Sequence, residues 1–404
     1  MVQKNTTVYN KGNKVQSNFL GIPENELLKL GAKNTAKEIA CQPELWKNTF
    51  EIIEKNYNEI KSFLDEVYSQ NNLQLILTGA GSSAFLGDVL EGVFQKYSGI
   101  KTSAIATTDL VTHPDYYLKC NGTLLLISFA RSGNSPESAK AVQLSELFCK
   151  NVYHFIITCN PDGDLVKNVS KKNSFVLYMP PEADDKSLAM TGSFTAMLLS
   201  GLLLARINEL CELKTQVYTL CEYGKQIITN YTKDLKIISE LDFTRAIFLG
   251  SGIFRGAARE SHLKLQELTD GNIICKHDSF LGFRHGPKAV INKDTLIVYL
   301  FSNSEYVLNY EKDLVHAVND GRRAICSIGI TENNIDDIDF DLRIQLSSNS
   351  SKIDETFLTV ASVVPAQILG FFKSLNLGLK PDTPSESGMI TRVVQGVKTY
   401  PYEK

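Results

Sequence analysis

Short apolar segments alternate with amphipathic ones along most of the chain. The segments LQLILTG, TLLLISF, YHFIIT, RAIFLG, TLIVYLF, AICSIGI and DLRIQL are mainly apolar at successive positions, and helical stretches separate them. Continuous apolar strands are typical of parallel sheets that are covered on both faces. The pattern therefore predicts an α/β fold with doubly wound, flavodoxin-like or Rossmann-like parallel sheets between layers of helices.

The part of the chain before the first strand has a different pattern. The first 18 residues are polar and predict a flexible arm, and the stretch after them carries apolar residues at steps of three and four. Residues 1–50 are therefore assigned to an arm and a helical lead-in.

The order of strands and helices occurs twice. LQLILTGAGSSAFLGDVLEGVF matches TRAIFLGSGIFRGAARESHLKL when Gly79 and Gly81 are aligned with Gly250 and Gly252, and the following strands then match as well. Two tandem copies of one unit explain this better than a single large sheet. We predict domains at residues 51–215 and 216–380, joined through a helical segment at about 191–240, and a C-terminal tail at 381–404.

Composition narrows the classes of partner. The net charge of -3 and the lack of a Lys/Arg-rich tract argue against nucleic acid and against a membrane surface. The start of the chain lacks the apolar core of a signal peptide, and AMLLSGLLLARI is too short to span a bilayer. Eight cysteines without a CxxC pair favour free thiols over disulfides or a metal site. We therefore expect a cytoplasmic protein with a small-molecule or protein partner.

Two strand-to-helix turns in the first copy carry an excess of small hydrogen-bond donors. GAGSSA begins at Gly79 and RSGNSPES begins at Arg131. In the second turn, Ser135 is placed to cap a helix that starts at Pro136. The remaining hydroxyl, amide and guanidinium groups surround the positive end of that helix, where a phosphate monoester binds well. Open α/β sheets bind ligands at the carboxyl ends of their strands, so the two turns predict a phosphate site.

Two other interpretations of GAGSSA remain open. It fits the loose GxGxxG/A fingerprint of dinucleotide-binding turns, which would indicate a dehydrogenase. Glycines at this place also allow a tight turn that binds nothing.

The second copy keeps the glycines but not the donors. GSGIFRG has apolar residues in place of the serines, and FSNSEYV has no arginine. Its polar residues are three acids on a helix and two histidines in the loop that follows: Glu260, Glu267, Asp270, His277 and His285. A carboxylate and an imidazole a short loop apart suit proton transfer on a sugar, although each alone is ordinarily unremarkable. The histidine spacing fits no metal site, and no GxSxG elbow indicates a hydrolase.

Several sequence segments together resemble a known family. LTGAGSSAFLGD, TTDLVTHP, LLLISFARSGNSPES, GSGIFRGAARES, GFRHGPK and PDTPSESGMITRVVQGV are similar to SIS (sugar isomerase) domains, and in particular to the bacterial galactosamine-6-phosphate deaminase/isomerase branch, often labelled tagatose-6-phosphate ketose/aldose isomerase. The resemblance extends from about Ile39 to the C-terminus. It implies two tandem SIS domains and a tail that closes on the active site.

The resemblance also implies roles for individual residues. The phosphate would be held by residues of the two donor-rich turns: Ser82, Ser83, Arg131, Ser132 and Ser135. Further substrate contacts are expected from Gly81, Asn134 and Gln395.

For catalysis, the resemblance implies that Glu267 moves a proton between the first two sugar carbons. It implies that His285 opens the ring and comes from a partner subunit, so a homodimer or homotetramer is expected. Neither a metal nor another cofactor is implied.

Two departures from the family pattern bear on the reaction. The isomerase half of glucosamine-6-phosphate synthase has a lysine in its tail, but this chain has Gln395 and Gly396 at the matching place, and Lys398 lies two positions further on. That difference favours deamination over amination. The chain also has Ala130 where the synthase has a serine, and Arg131 is expected to supply the phosphate contact instead.

The resulting expectation is an enzyme that converts galactosamine 6-phosphate to tagatose 6-phosphate and ammonium. Simple ketose/aldose isomerisation of a 6-phosphate sugar is the near alternative. A phosphosugar sensor without activity is a more distant one, because the chain has no basic helical domain and carries both Glu267 and His285. The sequence does not fix the sugar epimer.

Overall fold

Two five-stranded parallel sheets form the centre of the computed structural model, which describes residues 17–118, 121–349, 352–394 and 396–403. The strands are β1 (Asn18–Phe19), β2 (Ile22–Pro23), β3 (Gln74–Thr78), β4 (Thr102–Ala104), β5 (Thr123–Ala130), β6 (Asn151–Thr158), β7 (Ser174–Tyr178), β8 (Arg245–Gly250), β9 (Ile274–Asp278), β10 (Thr295–Leu300), β11 (Cys326–Thr331) and β12 (Leu342–Gln345). The first two form a small antiparallel hairpin.

Helices surround the sheets. They are α1 (Glu24–Lys29), α2 (Lys33–Ala40), α3 (Gln42–Lys55), α4 (Tyr57–Tyr68), α5 (Ser82–Ser98), α6 (Thr107–Thr112), α7 (Pro114–Tyr117), α8 (Pro136–Phe148), α9 (Asp164–Asn168), α10 (Gly192–Ala205), α11 (Leu210–Gln226), α12 (Thr232–Ser239), α13 (Phe254–Leu268), α14 (Phe280–Phe283), α15 (Glu305–Asn319), α16 (Glu355–Ser362) and α17 (Val364–Asn376). Short 3₁₀ turns lie at Lys171–Asn173, Pro181–Ala183, Ile207–Glu209 and Pro287–Val290, and a π-helical turn lies at Ile227–Tyr231.

The two sheets have the same topology. The first has the order β4-β3-β5-β6-β7 and the second has β9-β8-β10-β11-β12, so each strand of one copy has a counterpart at the same place in the other. Every neighbouring pair within them is parallel. This confirms the predicted pair of doubly wound parallel sheets.

The glycine turns are equivalent in detail. A Cβ atom at Gly79 would lie 2.5 Å from the carbonyl carbon of Ser83, and one at Gly250 would overlap the carbonyl group of Phe254. Gly81 and Gly252 have φ angles of 58° and 54°, in the left-handed region that favours glycine. The same four glycines that align the sequence copies therefore set the same strand-to-helix turn in both.

The helical lead-in is bonded to both copies. Trp46, on α3, is fully buried, and its Nε1 donates to Thr195 Oγ1 of α10 at 2.9 Å. Gln42 Nε2 donates to Gln367 Oε1 of α17 at 2.6 Å, and Thr195 Oγ1 donates to Gln42 Oε1 at 2.7 Å. The predicted divisions after residues 50 and 215 fall inside α3 and α11, and a single apolar core continues across both.

Helices α16 and α17 together are long and apolar enough to span a membrane by length and composition. Their apolar window is 94% buried within the protein, which is typical of the core helix of a soluble protein. The apolar segment that begins at Ala196 lies in α10, and all of α10 is buried. Both apolar stretches therefore serve the core.

None of the seven cysteines that the structure describes takes part in a disulfide bond. Cys41 and Cys211 are exposed rather than buried, and Cys120 lies outside the described residues.

Helices α5 and α13, which follow the two glycine turns, cross closely, and Gly256 lies at the crossing. A Cβ atom there would lie 2.6 Å from Val89 Cγ2 and 2.8 Å from the backbone nitrogen of Val89. A Cβ atom at Gly92, on α5, would have no neighbouring atom within 4 Å.

We expect Gly256→Ala to lower the free energy of unfolding by about 1–3 kcal/mol, because the added methyl group would overpack the helix crossing. The matched substitution Gly92→Ala should raise it by about 0.5–1 kcal/mol, since alanine loses less backbone entropy in a helix. Urea denaturation of the two variants measures both values. Equal effects of the two substitutions would contradict a tight crossing at Gly256.

Candidate active site

A cavity of about 480 Å³ lies at the carboxyl ends of β3 and β5. The loop after β3, the loop after β5, the start of α8, residues 188 and 190, Glu267 near the end of α13, and tail residues 388–394 line it. Both donor-rich turns and the acidic helix predicted from the sequence therefore meet at one place.

Four predicted phosphate-binding serines line this cavity at the N-termini of two helices. Ser82 and Ser83 begin α5, while Ser132 and Ser135 precede α8. Backbone N–H groups and the positive helix end favour an anion at such a place. Ser135 occupies the N-cap position as predicted, but its side chain makes no capping hydrogen bond.

Arg131 is almost fully buried in the cavity wall, with 7% of its surface exposed. Its Nη1 donates to the carbonyl of Leu188 at 3.2 Å, and its Nη2 donates to the carbonyl of Arg392 at 2.6 Å. These two bonds use two of its five N–H groups. The guanidinium is thus held between two backbone segments while other donors remain for a ligand.

Beside the serines lies a buried charge cluster around Lys264. Lys264 and Glu260 are fully buried, and the side chain of Glu267 is 25% exposed. The ammonium lies 2.6 Å from Glu267 Oε2 and 3.3 Å from Glu260 Oε1, and it donates to Ser82 Oγ at 3.1 Å. Ser82 Oγ in turn donates to Glu260 Oε1 at 3.1 Å. The Ser82 hydroxyl is therefore engaged in this cluster.

Burial and the contact of one ammonium with two carboxylates change the pKa values of Lys264 and Glu260. Burial lowers the pKa of Lys264, but attraction to Glu260 and Glu267 outweighs burial, so that its pKa is raised overall. Burial is also the main cause that raises the pKa of Glu260 to about 7. Lys264 therefore stays charged and holds the partly exposed carboxylate of Glu267 in place.

Lys264 is the site residue that sequence reasoning missed. A signal for it was present, because Glu260, Lys264 and Glu267 are four and three positions apart and so share one face of α13. Such spacing usually indicates a solvated ion pair on a helix surface. Only the crossing with α5 turns this face inward.

The remaining predicted residues differ in their position relative to the cavity. His285 is exposed after α14 and does not line the cavity of its own chain. Asn134 is close to the cavity but not in its wall, and its Oδ1 accepts a bond from the Asp164 backbone at 3.1 Å. Gly81 lines the cavity, and Gln395 lies outside the described residues.

His277 and Asp270 have other roles. His277 stacks on His262 with ring centroids 4.8 Å apart, and burial lowers the pKa of both. Asp270 adopts a φ of 46° in the turn after α13. Neither residue lines the cavity.

Comparisons with known proteins find relatives that match most of the chain. The profile of the SIS domain matches residues 67–207. The D-galactosamine-6-phosphate deaminase AgaS of Shewanella sp. (strain ANA-3) is 37% identical over 96% of this chain and 97% of its own, and that of Escherichia coli O157:H7 is 38% identical over 91% and 96%. A solved structure of tagatose-6-phosphate ketose/aldose isomerase from Escherichia coli has a TM-score of 0.84 at 35% identity, and the match covers 92% of this chain and 97% of that one.

The buried cluster around Lys264 should contribute to the free energy of unfolding. Lys264→Met would leave Glu260 without a cation in a fully buried site, so we expect a loss of about 3–5 kcal/mol in the free energy of unfolding. The double variant Lys264→Met/Glu260→Gln should recover most of that loss, because it buries no charge beyond the partly exposed Glu267. Urea unfolding at neutral pH measures both. A single variant as stable as the wild type would show that Glu260 needs no counter-charge.

Proposed function

The chain belongs to the SIS-domain family of D-galactosamine-6-phosphate deaminases, and we propose that it converts galactosamine 6-phosphate and water to tagatose 6-phosphate and ammonium. The observation that carries the proposal is that the two helix N-termini with their serines and Arg131 line the same cavity as Glu267. A phosphate site and a carboxylate that can move a proton are the two parts that such a reaction requires.

We assign the phosphate group of the substrate to the two donor-rich turns. Ser83, Ser132 and Ser135 supply hydroxyl groups, and Arg131 supplies a charge-assisted contact. Ser82, whose hydroxyl bonds Lys264 and Glu260, contributes through its place at the start of α5. Binding the unreactive end in this way positions the first two carbons of the sugar for reaction.

We assign the proton transfer to Glu267. Its carboxylate takes the proton from C2 of the open-chain sugar and returns it to C1, while the C1 carbonyl oxygen gains the proton that the amino group loses, which leaves a hydroxyl at C1 and an imine at C2. Water then adds to C2, the C–N bond breaks, and nitrogen leaves as ammonium. The steps need no external oxidant or reductant, so we expect no redox cofactor. Lys264, 2.6 Å from Glu267 Oε2, keeps the carboxylate at one position during both transfers.

We assign ring opening to His285 of a second copy of the chain. The residue is exposed in its own subunit and lies outside the cavity there, which suits insertion into a neighbouring site. Histidine exchanges protons near neutral pH, as transfer to and from a ring oxygen requires. A homodimer or homotetramer with shared active sites follows from this assignment. Separately, we propose that the protein is cytoplasmic.

Isomerisation without deamination is the second candidate. It is favoured by the similarity to the Escherichia coli tagatose-6-phosphate ketose/aldose isomerase. The same glutamate would then move a proton on a sugar that carries oxygen at C2. The release of ammonium separates the two reactions.

An ammonium assay tests the proposed reaction. We expect the wild type to release ammonium from galactosamine 6-phosphate, and faster than from glucosamine 6-phosphate. Glu267→Gln should abolish release while phosphosugar binding, measured by calorimetry, is retained, because an amide cannot take the C2 proton. Ketose formation without ammonium would favour the second candidate, and full activity of Glu267→Gln would remove this residue from the mechanism.

Mixing two inactive variants tests the shared site. Glu267→Gln and His285→Asn should each be inactive alone, but a mixed oligomer contains sites with Glu267 from one chain and His285 from the other. Activity should therefore return after the variants are unfolded together and refolded, or co-expressed. If both residues acted within one chain, the mixture would stay inactive.

A further inference from the structure

A polar segment at residues 184–191, between β7 and α10, forms one wall of the cavity. Leu188 and Met190 line the cavity, and the carbonyl of Leu188 accepts the bond from Arg131. The segment contains no strand or α-helix of its own, so its shape depends on contacts with other parts of the chain.

Glu38, on helix α2 of the lead-in, holds the middle of this segment. Its Oε1 accepts from the backbone nitrogens of Lys186 at 2.5 Å and Ser187 at 3.3 Å. Its Oε2 is bonded to the hydroxyl of Ser187. One side chain, nearly 150 positions away in sequence, thus binds two successive residues next to Leu188.

Other contacts hold the ends of the segment. Asp185 accepts from the backbone nitrogens of Thr191, Gly192 and Ser193, at 2.8, 3.1 and 2.9 Å, and so fixes the start of α10. The backbone nitrogen of Leu188 donates to the carbonyl of Asp382, at 3.0 Å.

The tail completes the arrangement. Arg392 is paired with Asp184 at 2.5 Å, and its Nε donates to the carbonyl of Asp185 at 2.8 Å. The carbonyl of Arg392 in turn accepts from Arg131. A continuous set of contacts therefore runs from Glu38 through residues 186–188 to Arg131, and from there to the tail.

We propose that Glu38 is a positioning residue for the phosphosugar, because it fixes residues 186–188 and thereby places the guanidinium of Arg131 in the cavity. The inference rests on the proposed function, since it assigns Arg131 to the substrate phosphate. It gives the lead-in helix, which lies before the matched SIS domain, a part in substrate binding.

The environment of Glu38 makes this role depend on pH. Burial, and then the negative charge of Asp185, raise the pKa of Glu38 from 4.5 to about 7. Other charged groups on the segment and on the elements packed against it include Asp184, Lys186, Arg131, Arg392 and Asp382. Asp184 pairs with both Lys186 and Arg392, and the carboxylate of Asp382 accepts from the backbone nitrogens of Asn34 and Thr35 on α2. Below about pH 4.5, Glu38 is protonated and contributes fully to the stability of its contacts with residues 186–188. As the pH rises through about 7, the carboxyl ionises in its buried position and this contribution is lost.

Two substitutions separate geometry from charge. Glu38→Gln keeps the carbonyl that accepts the two backbone bonds and an amide that reaches Ser187, but it cannot ionise. Glu38→Ala removes every contact. Glu44→Ala is the matched control, because Glu44 is exposed on the neighbouring helix α3 and has no bond to the segment.

Steady-state kinetics with galactosamine 6-phosphate test the proposal. We expect Glu38→Ala to raise KM by about tenfold or more with a smaller change in kcat, as for a misplaced charge-assisted contact. Glu44→Ala should match the wild type. The ratio of KM of the wild type to KM of Glu38→Gln should rise from about pH 5 and level off above about pH 7, and the ratio cancels titration of the substrate and of His285.

A failure of the proposed role of Glu38 can be distinguished from a failure of the proposed reaction. A KM that is unchanged in Glu38→Ala, or a ratio that does not vary with pH, overturns the role of Glu38 even if ammonium is released. If the wild type releases no ammonium, the same variants are compared by calorimetric titration with tagatose 6-phosphate. If Glu38→Ala does not fold, Ser187→Ala removes one of the bonds and Glu38→Gln still reports the pH dependence.

Discussion

The position of one buried ammonium group, that of Lys264, governs the arrangement of the active site. It is fully buried where α5 and α13 cross, and it contacts Glu260 and Glu267 from its own helix and Ser82 from the other. A charge in that place requires close partners, so the two helices can pack in few other ways. The contact therefore links the domain whose turns carry the cavity serines and Arg131 to the domain that carries Glu267.

The two copies of the fold differ in whether the loop after the central strand presents free donors to an anion. In the first copy, the loop after β5 presents hydroxyl and guanidinium donors to the cavity. In the second copy, the hydrogen-bond donors of the loop after β10 are already bonded to carboxylates of the same chain. Ser302 bonds Glu311 and Glu355, and Asn303 bonds Glu332. A phosphate there would face these acids, so duplication of the fold has not duplicated the proposed phosphate site.

The fold and part of the site could be predicted from local sequence pattern. Continuous apolar strands and the glycine turns specify the two sheets, because strand burial and left-handed backbone conformations depend on the residues themselves. The contact of Arg131 with Leu188 and Arg392, and the burial of Lys264, could not be predicted. The Arg131 contacts depend on segments that meet only after folding. The spacing of charged residues on a helix is the same whether that helix face is exposed or buried, so the spacing does not predict the burial of Lys264.

The same distinction explains how residues outside the repeated units take part. The described parts of the lead-in and the tail add no strand to either five-stranded sheet, yet Glu38 and Arg392 bind the segment that forms the cavity wall. A loop without a regular backbone ladder must satisfy its polar groups through side chains or water. Here those side chains come from both ends of the chain. The cavity wall is therefore complete only when the lead-in, the first domain and the tail are all folded, and the position of Arg131 depends on all three.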